Sequence, residues 1–407
     1  MLDFWHCFFD SFSRSVSMRM NIRVNESYLG HFPIRSLETE RPLMFAYWGT
    51  KGALPKYTLD LARVAAAQQK IRCSFSVSDS NELFEEYGFL ADDLFALSTF
   101  KSKWAGLAKG LSLRGLRALL EERIRRDRSR SFISLMPHIW SPLLAPAISD
   151  AGASHLVVVH DADAHPGDRY GLTNRWLLRE AAMADRVITL SRFVAERLVA
   201  AGIVSRRKIS VLFHPDLNYK SVGYARTSEG EPLRVLLIGR ILSYKGLRHV
   251  VDAVESLRSK GLPVELGVYG RGTIDAALHV RLLKLGATVV NKWLSHEEIK
   301  DAFRCHDVVI AAHTQASQSG VIAAAYGAGL PVIANPVGGL VEQVTDGVTG
   351  LLTDSPTSEG IAAAIAKLAR DRSLLLKLRK GIAATREERS MERFFDRLSS
   401  LALSEPL

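Results

Sequence analysis

Eleven short apolar segments alternate with amphipathic stretches along the chain, and this rhythm limits the folds open to it. They are Leu43–Trp48, Cys73–Val77, Phe132–Leu135, His155–His160, Val187–Leu190, Ile209–Phe213, Leu233–Ile238, Val264–Tyr269, Ala287–Asn291, Asp307–Ala311 and Pro331–Asn335. Segments that are apolar throughout suit strands covered on both faces, as in parallel sheets. The stretches between them show helical periodicity, for example at 193–201 and 247–257. The repeated strand–helix–strand order predicts parallel α/β sheets.

The chain is too long for one ordinary domain. With 407 residues, it fits two domains of roughly 150–200 residues each. A polar stretch without apolar periodicity, 216–232, separates the two sets of strands and predicts a linker. We therefore predict two doubly wound Rossmann-like α/β domains, at 41–215 and 233–385. Residues 1–40 form an N-terminal extension, and 386–407 a C-terminal helix that could dock on either domain.

Composition excludes several classes of protein. Hydrophobic residues make up 47%, which favours packed cores over intrinsic disorder. The three cysteines, Cys7, Cys73 and Cys305, have no metal-ligand spacing, so we expect a reducing cytosol rather than a disulfide framework. No uninterrupted apolar run reaches transmembrane length. The net charge of +10 leaves nucleic acid, an anionic membrane surface or an anionic small substrate as partners.

The charge surplus is concentrated in residues 101–130, which hold ten basic and three acidic residues. Apolar residues recur there at helical spacing, with lysines and arginines between them. A basic amphipathic helix suits an anionic lipid interface, so Trp104, Arg123, Arg125 and Arg126 are candidate membrane contacts. The alternative is a surface helix with its apolar face on the first domain and a solvated basic face. Nucleic acid is disfavoured because no recognised binding motif is present.

Two cations follow the first strand of the second domain. That strand ends in Gly239 and Arg240, and Lys245 comes five residues later. Ligands of open α/β sheets bind beyond the carboxyl ends of strands. Arg240 could therefore hold a diphosphate by bidentate hydrogen bonds, with Lys245 as a point charge. The alternative is a pair of solvated surface charges.

A helix of small residues begins near Ser319 and Gly320. The free N–H groups of its first turn could hold a phosphate, and Gly320 would permit close approach. The alternative is an ordinary helix in which Ser319 is the N-cap.

A glycine-bearing turn, Gly49 to Gly52, follows the first strand of the first domain. Such a turn lets backbone approach a ligand closely, so Gly49 and Gly52 are candidate ligand-binding positions. A plain strand–helix connection is equally consistent with the pattern.

His160 and Asp161 lie at the end of another buried strand of the first domain, with Asp163 and His165 in the loop beyond. The strand-end position makes His160 a candidate catalytic residue, although a lone histidine is more often structural. Asp161, Asp163 and His165 are candidate ligand contacts. The spacing of these residues matches no standard ligand set, so no metal site is predicted.

Residues 233–385 resemble family 4 glycosyltransferases, which are retaining enzymes of the two-domain GT-B fold. The resemblance rests on an ordered series of motifs rather than on any one of them. The series is strand-Gly-Arg-x4-Lys-Gly, Gly-x-Gly, Ser-Gly at a helix start, Gly-x-Pro-Val-Ile-Ala, Gly-Gly-x-x-Glu and Asp-Gly-x-Thr-Gly-Leu-Leu.

The resemblance implies roles for individual residues. Arg240 and Lys245 would hold the diphosphate of a nucleotide-sugar donor, and the N–H groups around Ser319 and Gly320 its distal phosphate or sugar. His160 matches a histidine that family members use near the donor sugar and the reacting centre. The resemblance also implies that no metal or other cofactor is required.

The resemblance further implies an acceptor side of the cleft. The turn that carries Gly49 and Gly52 would face the donor across the cleft and help to shape the acceptor site. Asp161, Asp163 and His165 are the candidate acceptor contacts.

One departure separates this chain from the family pattern. Two glutamates eight positions apart usually contact the donor sugar and the ribose, and Ala316 and Ala324 occupy those positions here. Gln318, or its neighbours Gln315 and Ser317, could replace part of the first role. We therefore include Gln318 among the donor-binding candidates.

The sequence favours a retaining hexosyltransferase that moves a hexose from a nucleotide sugar to a lipid-linked bacterial surface glycan or exopolysaccharide. We expect a cytoplasmic enzyme at the periphery of the inner membrane. A nucleotide-sugar epimerase of the same fold is one alternative. The other is a non-catalytic GT-B subunit, which the two alanines favour.

Overall fold

The computed structural model describes residues 42–99, 113–163, 171–220 and 230–405. The predicted N-terminal extension, Trp104 and His165 lie outside these ranges.

The first sheet contains seven parallel strands in the order β3-β2-β1-β4-β5-β6-β7. They are β1 Leu43–Tyr47, β2 Cys73–Ser78, β3 Leu94–Leu97, β4 Ser131–Ser134, β5 Ser154–Val159, β6 Arg186–Thr189 and β7 Ile209–Val211. β1 is central and fully buried, as its apolar sequence predicts.

The second sheet contains six parallel strands in the order β10-β9-β8-β11-β12-β13. They are β8 Leu233–Ile238, β9 Val264–Tyr269, β10 Thr288–Val290, β11 Val308–Ala311, β12 Val332–Ala334 and β13 Gly350–Leu352. The predicted class, two doubly wound parallel α/β sheets, is confirmed.

Helices cover both faces of the two sheets. Those of the first sheet are α1 Ala53–Gln68, α2 Leu113–Asp127, α3 Ser141–Asp150, α4 Gly171–Met183 and α5 Arg192–Ala200. The later ones are α6 Leu247–Ser259, α7 Ala276–Lys284, α8 His296–Arg304, α9 Gly320–Gly327, α10 Leu340–Gln343, α11 Ser358–Arg370, α12 Arg372–Ala384 and α13 Met391–Leu403.

Each of the eleven apolar segments contains a strand, but the sequence pattern missed β3 and β13. β3 is an edge strand whose residues are mostly half-exposed. β13 is an edge strand of the second sheet, at the end away from β10, and has only three residues. Short edge strands lack the continuous apolar run that identifies a buried strand.

The C-terminal helix α13 packs against the first sheet. Phe394 contacts Tyr57 of α1 with ring centroids 5.8 Å apart, and Phe395 contacts Phe45 of β1 at 6.1 Å. The backbone carbonyl of Ala402 accepts a hydrogen bond from the Ser131 hydroxyl at 2.6 Å. The core of the first sheet therefore depends on residues 271 or more positions away in sequence.

The start of the predicted linker is packed between the sheets rather than solvated. The N–H of Leu217 donates to the Ala323 carbonyl in α9 at 3.1 Å. The N–H of Asn218 donates to the Asp60 carboxylate in α1 at 2.9 Å. A side chain at Gly327 would lie 1.6 Å from the Leu217 carbonyl oxygen. Leu217 and Tyr219 also bury their side chains in the core, so the segment is held by backbone hydrogen bonds and by two apolar side chains.

Candidate functional site

Both sheets reverse their strand order beside their first strand, between β1 and β4 and between β8 and β11. Ligands of doubly wound sheets bind beyond the carboxyl ends of strands at such points. Gly239 and Arg240 follow β8, and His313 lies two residues beyond β11. The predicted cationic loop therefore lies at the switch point of the second sheet.

The loop after β8 is fixed by glycines that leave no room for a side chain. Gly239 has φ 112°, and Gly246 has φ 75°, both in the region that favours glycine. A Cβ at Gly246 would lie 2.0 Å from the Ala312 carbonyl oxygen. The N–H of Thr314 also donates to the Tyr244 carbonyl at 2.8 Å. These contacts tie the cationic loop to the end of β11.

Lys245 is half-buried in this loop, whereas Arg240 is exposed. The Lys245 ammonium lies 2.6 Å from Nε2 of His313, and 5.0 Å from the centroid of the Tyr244 ring. Nε2 of His313 accepts this bond because an ammonium group can only donate. The two predicted cations thus occupy one strand end, with Lys245 oriented by His313.

The Gly-x-Gly turn after β9 serves backbone packing. A Cβ at Gly270 would lie 1.9 Å from the Gly239 carbonyl oxygen, and one at Gly272 2.0 Å from that of Ile241. The side chain of Asn291 bonds both the N–H and the carbonyl of Gly272 at 3.0 Å. These glycines permit close approach to the loop carrying Arg240 and so support its position.

Ser319 directly precedes α9 but does not cap it with its side chain. Its N–H donates to Oε1 of Gln343 at 2.7 Å, and Nε2 of Gln343 donates to the Ser319 carbonyl at 3.3 Å. The Ser319 hydroxyl is buried and has no hydrogen-bond partner. One of the backbone N–H groups that the family resemblance assigned to a phosphate or sugar, that of Ser319, is therefore already bonded to Gln343.

The N-terminus of α9 faces the glycine-bearing turn of the first domain. A Cβ at Gly320 would lie 3.2 Å from Cβ of Ala53, the first residue of α1. Gly52 precedes Ala53 with φ 116°, and a Cβ at Gly49 would lie 2.4 Å from the Tyr47 hydroxyl. The predicted donor-side Gly320 and acceptor-side Gly52 thus lie on opposite walls of one narrow cleft.

His160 is joined to Gln318 across this cleft. Nε2–H of His160 donates to the Leu135 carbonyl at 2.9 Å, and its Nδ1 accepts from Nε2 of Gln318 at 2.8 Å. Burial lowers the pKa of His160, opposed by the Leu135 carbonyl and Asp161. The structure therefore brings together the candidate catalytic residue and a candidate donor-binding residue, with His160 as a neutral imidazole.

Three further contacts join the two walls of the cleft. The first is made by Glu82, whose carboxylate accepts from the indole of Trp293 in the second domain at 3.0 Å and, within the first domain, from the N–H of Gly52 at 3.1 Å. The hydroxyl of Ser191 donates to the Ser317 carbonyl at 3.1 Å.

Glu342, the glutamate of the Gly-Gly-x-x-Glu motif, makes the third contact. It accepts from the N–H groups of Arg192 and Phe193 at 2.8 and 2.9 Å. A carboxylate at the N-terminus of α5 is favoured by the helix dipole. Glu342 is therefore engaged in joining the domains.

The acceptor-side candidates are divided by the structure. Asp161 is half-buried directly beyond His160. Asp163 is exposed and forms a two-pronged ion pair with Arg197, with N–O distances of 2.8 and 3.0 Å. The pairing raises the pKa of the Arg197 guanidinium. Asp163 is thus directed at α5 in this structure.

Ala316 and Ala324 are both buried, 5% and 7% exposed. The carbonyl of Ala316 would lie 1.8 Å from a Cβ at Gly338, and that of Ser317 1.9 Å from one at Gly339. The glycine pair after β12 therefore packs directly under this segment. Gln318 is the neighbouring side chain that reaches the opposite domain.

Four residues that the sequence analysis did not single out complete the site: His214, His313, Gln343 and Glu82. His214 and His313 lie shortly beyond β7 and β11, so the strand-end criterion that selected His160 would also have found them. Gln343 and Glu82 carry no such indication, because their roles depend on contacts between segments distant in sequence.

The basic helix α2 packs on the first sheet through Leu120 and Ile124. Arg123 is held within the protein, since its side chain is 10% exposed, pairs with Asp127 and donates to the Asp92 carbonyl at 2.8 Å. Part of the basic face is therefore structural.

The other two membrane candidates on α2 are accessible to solvent. The side chains of Arg125 and Arg126 are 59% and 65% exposed. Leu119 is also exposed. Within the described residues, no helix has the length and apolar character to cross a membrane.

The comparison with protein families matches residues 232–371 to the family described as "Glycosyl transferases group 1". The matched segment runs from β8 into α11 and contains the cationic loop and the start of α9. This segment is therefore similar to the domain of group 1 glycosyl transferases.

Comparison with solved structures extends the likeness to both sheets. The structure of Anabaena HepE in complex with UDP-glucose has a TM-score of 0.65 at 18% identity, covering 88% of this chain and 99% of that one. A putative UDP-N-acetylglucosamine 2-epimerase from Listeria monocytogenes has a TM-score of 0.59 at 13% identity, covering 90% and 98%. The protein has the GT-B architecture, which transferases and epimerases share.

Among curated proteins, the chain is similar to a 2-deoxystreptamine glucosyltransferase from Streptomyces kanamyceticus. The two are 27% identical over 319 residues, which is 70% of this chain and 80% of the relative. The likeness therefore extends beyond the segment that the family model matches.

Proposed function

We propose that the protein is a retaining hexosyltransferase that uses a nucleotide-sugar donor. The observation that carries the proposal is the convergence of Arg240, Lys245 and the N-terminus of α9 on one strand edge, with His160 opposite. The group 1 match covers these second-domain elements, and HepE was solved with UDP-glucose bound.

The chemistry of glycosyl transfer matches these groups. Breaking a glycosyl–phosphate bond leaves negative charge on the departing diphosphate and positive charge on the sugar. Cations and helix N–H groups fixed beside the diphosphate stabilise that charge as it develops. In the retaining reaction we propose, the incoming hydroxyl attacks the face from which the diphosphate leaves. The diphosphate accepts the hydroxyl proton, so no separate nucleophile is needed.

His160 and Gln318 would act on the sugar rather than on the phosphate in this proposal. The neutral imidazole carries no charge to attract the diphosphate, and Oε1 of Gln318 is a buried acceptor without a partner. Gln318 would thus supply, from two positions further along the chain, part of the role that the family pattern gives to a glutamate at position 316.

We further propose a lipid-linked glycan of bacterial surface or exopolysaccharide synthesis as the acceptor. The exposed cations of α2, Arg125 and Arg126, support an enzyme held at an anionic inner-membrane surface. No metal or other cofactor is assigned a role in the proposed reaction.

Replacing the cations tests the proposed donor site. A panel of UDP-, GDP- and ADP-hexoses identifies the donor by thermal stabilisation, since a ligand that binds only the folded state raises stability. With that donor, Arg240→Ala and Lys245→Ala should each lower kcat/KM by about 100- to 1,000-fold, as expected for transition-state charge stabilisation.

Arg304→Ala on α8 is the matched control, because Arg304 is exposed and its ion pair among the described residues is with the nearby Asp301. It should retain wild-type turnover. Wild-type turnover by both Arg240→Ala and Lys245→Ala would contradict the proposed site. Conversion of the donor without an acceptor would instead identify an epimerase, and binding without turnover a non-catalytic subunit, which the buried Ala316 and Ala324 favour.

A further inference from the structure

His214 presents an acceptor atom to the cleft that no function described so far uses. The residue lies three positions beyond β7 and is 9% exposed. Its Nδ1 lies 2.9 Å from the Pro215 carbonyl oxygen. A carbonyl can only accept, so Nδ1 carries the proton and Nε2 keeps a lone pair. The tautomer of His214 is thus fixed by its own backbone.

Nε2 of His214 points to the start of α9. It lies 4.0 Å from the position that a Cβ at Gly320 would occupy. Within the described residues, this nitrogen has no hydrogen-bond partner. The ring is held in place by an edge contact with Tyr57, with centroids 6.0 Å apart.

The neighbouring His160 cannot fill the same role in this conformation. Both of its ring nitrogens are bonded, to Leu135 and to Gln318. The ring centroids of His160 and His214 are 6.5 Å apart, so a ligand at the start of α9 would contact both. Of the two, His214 has the open acceptor.

The other unsatisfied polar atoms at this point determine what ligand fits. Oε1 of Gln318 and the hydroxyl of Ser319 are buried without partners. Burial lowers the pKa of His214 to about 4, with a smaller contribution from His160, so its ring is neutral at pH 7. A neutral acceptor nitrogen, an amide oxygen and a hydroxyl suit a ligand with several hydroxyl donors, and they offer no positive charge to an anion.

We propose that His214 is a specificity-determining residue whose Nε2 accepts a hydrogen bond from a hydroxyl of the donor sugar. This inference rests on the proposed function and deepens it. It assigns one sugar contact to the last strand end of the first domain, opposite the cations that hold the diphosphate.

Two substitutions separate the hydrogen bond from the packing of the ring. His214→Phe keeps an aromatic ring against Tyr57 but removes the acceptor. His214→Gln keeps an amide oxygen near the position of Nε2. Binding is measured by calorimetry with UDP-, GDP- and ADP-glucose and with the matching nucleoside diphosphates.

We expect His214→Phe to bind the preferred nucleotide sugar about tenfold more weakly, the size of one net hydrogen bond, and the free diphosphate with unchanged affinity. His214→Gln should remain within about threefold of wild type for both. Unchanged sugar binding by His214→Phe, or an equal loss for the free diphosphate, would overturn the inference while leaving the proposed function intact. A wild-type protein that binds no member of the panel would overturn both.

Deoxy donors supply a second measurement that does not depend on how well a variant folds. Wild type should lose about tenfold in affinity when one particular sugar hydroxyl is replaced by hydrogen, and His214→Phe should show no further loss at that position, because the partner is already gone. Equal losses in both proteins at every position would overturn the inference.

Discussion

Gly246 shows how a single hydrogen atom in place of a side chain positions the cationic loop. Gly246 has φ 75°, and a Cβ added to it would lie 2.0 Å from the Ala312 carbonyl oxygen. Gly261 has nearly the same φ, 77°, but no atom within 4 Å of its Cβ position. Substitution of Gly261 therefore tests backbone strain alone, whereas substitution of Gly246 tests backbone strain together with steric overlap.

We predict that Gly246→Ala lowers the free energy of unfolding by about 3 kcal/mol or more, because left-handed strain and overlap with fixed backbone add. Gly261→Ala should cost only about 1 kcal/mol, from the strain alone. Urea denaturation of both variants measures the difference. Equal losses would contradict the proposed rigidity of the loop.

The positions of candidate site residues were predictable from the sequence where the residues follow the end of a strand. Arg240, Lys245 and His160 all follow buried apolar runs, and each lies at the carboxyl end of a strand. The bond between His160 and Gln318 was not predictable, since it joins residues 158 positions apart. Which ring nitrogen a histidine leaves open depends on such contacts, as His160 and His214 show.

Helix α2 is the element whose function the sequence left open. Its periodicity indicated an apolar face, and Leu120 and Ile124 lie on the core side. Its basic residues divide into the enclosed Arg123 and the exposed Arg125 and Arg126. Periodicity alone could not divide them, because enclosure depends on the neighbouring segment around Asp92.

We predict that the double variant Arg125→Gln/Arg126→Gln binds vesicles containing phosphatidylglycerol about 30-fold more weakly than wild type. Each cation near an anionic surface contributes about 1 kcal/mol. Flotation at physiological salt measures the partition, and Arg304→Gln on α8 serves as the control for a lost surface charge. Equal flotation of wild type and the double variant would exclude α2 as the membrane contact.

At the scale of the whole molecule, burial of histidines makes stability depend on pH. The folded-state pKa of His214, about 4, is below the ordinary value of 6.5. Its contribution to stability is therefore complete above pH 6.5 and is lost as the pH falls towards 4, since the unfolded chain binds the proton first. Asp216 has the opposite effect on stability. Burial raises the pKa of its carboxyl to about 6, so the folded protein binds this proton first and is stabilised as the pH falls towards the ordinary pKa of the carboxyl.

Comparison with His214→Gln isolates this contribution from that of Asp216. We predict that lowering the pH from 7.5 to 5 destabilises wild type by about 2 kcal/mol more than the variant. Urea unfolding at the two pH values measures both. Parallel losses in the two proteins would show that His214 becomes protonated in the folded state.

The sequence predicted the fold class of the two sheets but not the contacts between them. Apolar runs and their spacing indicated two doubly wound sheets because buried parallel strands have a distinctive composition. The contacts between the walls of the cleft are made by single polar side chains, those of Glu82, Ser191 and Glu342. Glu342 belongs to the Gly-Gly-x-x-Glu motif, but the motif did not indicate its partner in the first domain. Glu82 and Ser191 lie in loops, where polar residues are common in any sequence, so nothing indicated their contacts in advance.

The packing of α13 on the first sheet has a consequence for synthesis on the ribosome. The chain emerges from its N-terminal end, yet Phe45 and Tyr57 pack against Phe395 and Phe394. The first sheet therefore cannot complete its core until translation has passed residue 403. Until then, the nascent chain leaves an apolar face of α1 and β1 uncovered, available to a chaperone that binds apolar segments.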